Sequence, residues 1–120
     1  MLGATLALVF VASAGAGGKA STRVTLDFIQ PTPSGTIYTG DIFSSRKACK
    51  NRRQVLVFRV RPGADQKIGS TKSYKGKAQP GYYWSYVQDG LPQDGDYYAK
   101  TKPTDACKGD RSADYAYEGF

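Results

Sequence analysis

Residues 82–88 read Tyr82-Tyr83-Trp84-Ser85-Tyr86-Val87-Gln88, and this stretch decides the fold. Aromatic and β-branched side chains dominate it, and a period of two separates Tyr82, Trp84 and Tyr86 from Tyr83, Ser85 and Val87. That is the pattern of a strand with one face inward. The same rhythm extends in both directions. Downstream, Asp89 to Asp96 is a Gly- and Asp-bearing turn, and Tyr97 to Lys102 and Ser112 to Tyr117 are further strands. Upstream lie a turn at Lys75-Gly76-Lys77, a strand over Gln66 to Ser73 around Ile68, and a turn at Pro62-Gly63-Ala64-Asp65.

Gln54 to Val60, QVLVFRV, is the most continuously apolar run after the N-terminal segment, as expected of a central strand covered on both sides. Ser44 to Arg53 is a polar, basic connection holding Cys49, and Thr36 to Phe43 is a strand in which Gly40 marks a bulge or a close approach. Thr22 to Gln30 is read as one half-buried strand with Val24, Leu26 and Phe28 inward, ended by Pro31, Pro33 and Gly35. No segment carries a sustained helical period with caps. The expectation is an all-β chain, an antiparallel β-sandwich of about seven strands.

The chain has 120 residues, 17 Lys and Arg against 10 Asp and Glu, and no His. That length is one small domain, expected over residues 22–120. Residues 1–16 carry an apolar run from Leu2 to Ala12 followed by Ala14-Gly15-Ala16, the pattern of a secretory signal peptide, and residues 17–21 follow as a flexible linker. The run is far short of the roughly 20 residues that span a bilayer, so no transmembrane anchor is expected. In an exported, extracellular chain the two cysteines, Cys49 and Cys107, are expected to form one disulfide. Lack of His excludes Ser-His-Asp and Cys-His nucleophile systems, HExxH metalloproteases and Cys2His2 zinc sites.

Several pieces resemble a known family: Tyr38-Thr39-Gly40-Asp41-Ile42, Arg53-Gln54-Val55-Leu56-Val57-Phe58, Gly63-Ala64-Asp65 with Lys67-Ile68-Gly69-Ser70-Thr71, and Gly95-Asp96-Tyr97-Tyr98-Ala99, with Cys49 and Cys107 between and after them. Together they resemble the disulfide-bearing prealbumin-like or carboxypeptidase-regulatory-like domains of secreted bacterial proteins. The resemblance implies an immunoglobulin-like sandwich that serves as a stalk, accessory module or binding surface and not as a catalyst.

Charge is distributed unevenly. From Arg46 to Lys77 there are 11 Lys and Arg and a single acid, Asp65. Arg46, Lys47, Lys50, Arg52 and Arg53 around Cys49 are therefore the candidate surface for a polyanion such as a cell-wall polymer or acidic polysaccharide, with plain solubility as the competing use of that charge. Arg59 and Arg61 are expected to snorkel or to pair with Asp27 or Asp114. Tyr83, Trp84 and Tyr98 are the candidate aromatic platform for sugars or bases, with core packing the competing use of Trp84. Asp89, Asp94 and Asp96 lack calcium-loop spacing, so a hairpin turn is expected there. The expectation is a monomeric, secreted binding or structural module without metal, cofactor or catalysis. Its alternatives are a small ribonuclease-like enzyme, opposed by the lack of His and the lone Glu118, and a protease inhibitor presenting residues 72–80.

Overall fold

The computed structural model describes residues 18–119, so the expected signal peptide, residues 1–16, and the first residue of the expected linker lie outside the described residues. Ten strands follow in order: β1 Thr22–Val24, β2 Phe28–Thr32, β3 Gly35–Ser44, β4 Gln54–Arg59, β5 Gln66–Lys72, β6 Tyr74–Lys75, β7 Tyr82–Gln88, β8 Gly95–Thr101, β9 Asp110–Arg111 and β10 Tyr115–Tyr117. One 3-10 turn, Lys47–Cys49, interrupts them. They form two antiparallel sheets. Sheet A runs β9–β8–β4–β5, with β10 also paired to β8, and sheet B runs β1–β3–β7–β6, with β2 also paired to β3.

The chain is thus an all-β antiparallel sandwich with one disulfide, built from ten strands instead of about seven. One source of the difference is the expected strand Thr22 to Gln30. Val24 pairs with Ile42, but Phe28 pairs with Thr39, so four steps on one strand oppose three on the other. The extra residue is a β-bulge that splits β1 from β2 and reverses the alternation beyond it. Val24 and Leu26 remain buried, Ile29 takes the inward place, and Phe28 turns out to 65% exposure. Pro31 does not end the strand, because β2 lies on a sheet edge where a missing N–H costs no ladder bond. The hairpin turn comes at Pro33-Ser34.

Between the sheets sit Val24, Leu26, Ile29, Tyr38, Val55, Val57, Trp84, Tyr97 and Ala99, with Ile68, Tyr86, Tyr115 and Tyr117 packed around them. Tyr38 is the hub of the aromatic part, its ring 6.2 Å from Tyr86 and 5.8 Å from Tyr97. Its hydroxyl donates to the Gln88 side chain, which removes the penalty of burying it. As β4 lies between β8 and β5, Val55 and Val57 face the core while Leu56 is buried on the other side, as expected of a central strand.

Cys49 and Cys107 are joined, with Cα atoms 5.5 Å apart. Ala20 forms an isolated parallel bridge with Cys107, its N–H bonding Ala106 and its carbonyl accepting from Lys108, so the expected linker is already held at its fourth residue. Among the described residues no helix is long and apolar enough to cross a membrane.

Candidate functional site

Strand register gathers cations that are far apart in sequence. Gln54 pairs with Lys72, and Leu56 pairs with Lys100, so alternation puts Gln54, Lys72, Lys100 and Lys102 on the outer face of sheet A. Arg111, opposite Lys100 on the other side of β8, joins the same face. At the end of the sheet nearest the disulfide, this face deepens into a depression of about 410 Å³. Ala48, Arg52, Lys72, Lys102 and Thr104 rim it, and Arg53 lines it. No carboxylate belongs to that lining.

Arg53 is the anchor of the site. It is only 5% exposed, and its guanidinium donates to Thr22 Oγ1 at 3.0 Å and to the carbonyls of Cys49, Lys102 and Lys108 at 3.0, 2.8 and 3.0 Å. All four acceptors are neutral. Burial therefore pulls the Arg53 pKa below its ordinary value, because the neutral acceptors replace only part of the lost hydration and no carboxylate within 4.0 Å supplies a counter-charge. The one ion pair among the described residues is elsewhere, Arg111 with Asp114 at 3.1 Å. The depression thus combines exposed cations on its rim with a buried, uncompensated cation beneath them.

Arg52 contributes a second unusual feature. Its φ of 55° is the only positive value among described residues other than glycine. An L side chain is disfavoured there. Its N–H bonds the Ser73 carbonyl at 3.1 Å, and Ser73, fully within the fold, also receives the Arg53 N–H on its hydroxyl at 2.8 Å. The two bonds hold the Arg52-Arg53 dipeptide against the end of β5 and set its side chains in opposite roles, one exposed and one buried.

The sequence-derived set of five is therefore divided. Arg52 and Arg53 share the depression. Arg46 and Lys47 are exposed beside it, with Arg46 bonded to the Ala106 carbonyl at 3.1 Å, and Lys50 lies over the Tyr82 ring at 5.2 Å. Arg53 is not available as a surface contact, since it is buried and both of its terminal nitrogens are bonded within the fold. Lys72 and Lys102 were missed, because neither belongs to the basic loop. The pairing of β4 between β5 and β8 brings them in, and only the alternation of Tyr98, Lys100 and Lys102 hinted at a shared face.

The proposed aromatic platform does not assemble. Trp84 is wholly buried with its indole N–H on the Thr25 carbonyl, Tyr83 points to the opposite face of β7, and Tyr98 belongs to the other sheet. Tyr98 is 5% exposed, stacked on Phe58 at 5.4 Å and covered by the Arg111 guanidinium at 3.6 Å. Arg59 takes neither expected acid and donates to the Asp94 carbonyl. The Asp89 to Asp96 segment is a closed turn, with Tyr97 and Thr36 hydroxyls bonded to the Gln93 and Gly90 carbonyls, and no three acids gather there as ligands among the described residues. Residues 72–80, the alternative inhibitory loop, include strand β6, paired to β7. In comparison with known proteins, no family model, no curated protein and no solved structure matches the chain.

Proposed function

We propose that the chain is an exported, non-enzymatic binding module of the prealbumin-like kind that holds an anionic polymer at the cell surface or in the medium. The observation that carries this reading is the depression of Arg52, Lys72 and Lys102 over the buried, uncompensated guanidinium of Arg53. An anion placed there meets several cations without displacing a resident carboxylate, which is the arrangement that draws in phosphate or sulfate groups spaced along a chain. Lys100 adds one more cation on the outer face of sheet A, whereas Arg111 beyond it is paired with Asp114. The apolar leader, the disulfide and the resemblance of the strand motifs support export and a binding role.

The test is binding of the purified chain to poly(glycerol phosphate), a sulfated polysaccharide and single-stranded DNA over a range of salt. Affinity is expected to fall log-linearly with salt, and Lys72→Ala with Lys102→Ala is expected to reduce the slope by about two charges' worth. Affinity that is indifferent to salt, or unchanged in the double variant, refutes the reading.

A further inference from the structure

The outer face of sheet B has the opposite character to that of sheet A. Register places Asp41 beside Tyr83 and Tyr83 beside Tyr74, with Thr39 beside Phe28 and Ile37 beside Val87. Phe28, Tyr74 and Val87 are 65%, 47% and 59% exposed, an unusual concentration of large apolar side chains on one face of a small chain. The Tyr74 and Tyr83 rings lie 6.4 Å apart at 46°, and Tyr83 is fixed by donating its hydroxyl to the Pro80 carbonyl at 2.7 Å.

Between these rings is a second depression, of about 180 Å³, lined by Asp27, Phe28, Thr39, Asp41, Tyr74 and Tyr83 over a floor of Gly40 and Trp84. Its charge is negative, in a chain whose net charge is +7. The Asp27 carboxylate accepts from the Thr25 hydroxyl at 3.1 Å, and that hydroxyl accepts the Asp41 N–H at 2.8 Å, which holds the two acids close. No ion pair within 4.0 Å neutralises either, and Arg23, whose charge acts on Asp41, lies over the Phe43 ring at 4.4 Å. Partial burial, with Asp27 as the next cause, raises the Asp41 pKa despite the lowering influence of Arg23.

We infer that this depression is a binding site for an amino sugar, with the ring stacked on Tyr74 and Tyr83 and the ammonium group on Asp41 and Asp27. Aromatic faces stack on the C–H face of a sugar ring, and a cation beside them gains from the ring quadrupole. The open acceptor of Asp41 matches an N–H donor, and a charge-assisted bond there is stronger than a neutral one. A neutral sugar would leave the two carboxylates repelling each other. A lysine side chain would answer the charge but offers no ring to the aromatic walls. An amino sugar answers both, and the site is separate from the basic depression on sheet A.

The experiment is an NMR titration of the full chain with the β-1,4-linked glucosamine disaccharide and with its N-acetylated form, a probe short enough to limit repulsion by the positive chain. The free amine is expected to bind about tenfold more tightly than the acetylated form, the worth of one charge-assisted contact. Asp41→Asn is expected to abolish that preference, and Tyr74→Ala to weaken binding of the amine. Both substitutions are at surface positions, and circular dichroism checks the fold. Lys72→Ala with Lys102→Ala is the control in which binding persists. Equal binding of the two sugars, no binding of either, a preference for the amine that survives Asp41→Asn, an affinity unchanged by Tyr74→Ala, or binding lost in the control overturns the inference.

Discussion

The indole N–H of Trp84 donates to the carbonyl oxygen of Thr25 at 2.8 Å, directly over Gly40. Thr25 lies in the bulge between β1 and β2, where ladder pairing is broken, and the fully buried indole supplies a bond that the bulge would otherwise lack. Gly40 makes the approach possible, since a Cβ there would fall 1.9 Å from the Thr25 oxygen and 2.7 Å from Trp84 Nε1. Gly40→Ala is accordingly expected to destabilise by more than about 3 kcal/mol, because backbone and not a movable side-chain end stands in the way. Trp84→Phe is expected to cost about 2–4 kcal/mol, from an unsatisfied carbonyl together with lost packing. Urea unfolding of the two variants checks both figures, and a Gly40→Ala chain of ordinary stability would show that the bulge has another arrangement.

The disulfide and Arg53 fasten the same corner by different means. Closing a loop with a sequence separation of 58 is worth about 4 kcal/mol of unfolded-state entropy. Arg53 acts within the folded state, joining the Cys49, Lys102 and Lys108 carbonyls and the Thr22 hydroxyl. Arg53→Met is expected to lower stability by about 2–4 kcal/mol with the bridge intact, since several buried acceptors lose their donor. Cys49→Ser with Cys107→Ser should lower it by about as much, and thermal melts of both variants decide the matter.

Arg52 is the place where stability and binding are expected to oppose each other. With φ at 55° the residue sits in a region that favours glycine, and its side chain rims the basic depression without tying the fold together. Arg52→Gly is expected to leave stability unchanged or raise it by about 0.5–1 kcal/mol, while weakening polyanion binding. Paired melting and binding measurements on this one variant separate the two effects. A fall in stability would mean that the side chain serves the fold.

Much of the architecture was legible in the chain, and the failures share a cause. Alternation identified β7, and an unbroken apolar run identified the central β4, which is buried on both faces. It misplaced Phe28, because one extra residue at the bulge reverses every later side chain and the sequence carries no separate signal for it. The basic loop was visible as a run of charge, yet its working cations include Lys72 and Lys102, which only sheet order brings to Arg52. Arg53 looked like its neighbours in the sequence. Its burial follows from the ring of carbonyls that the disulfide corner happens to present. Local pattern reports a strand and its faces, whereas partner strands decide which faces meet.

Asp41 gives the last expectation, and its sign can be worked out. Its pKa is raised in the folded chain by partial burial and then by Asp27, with Arg23 the only opposing charge and Tyr74 and Tyr83 the neutral neighbours. A carboxyl with a raised folded pKa binds its proton more tightly in the folded than in the unfolded state. Its favourable contribution is therefore complete below the ordinary Asp value of about 3.9 and is lost as pH rises through the folded value. At neutral pH the ionised group is a net cost to folding. Asp41→Asn, of nearly the same shape, is expected to melt higher than the parent chain at pH 7 and to lose that advantage in acid. A melting series from pH 3 to pH 8 on the two chains tests it. A variant less stable at pH 7 would mean that ionised Asp41 is held by a favourable contact; one more stable there marks a carboxylate kept at a cost to the fold, as a group that meets a ligand would be.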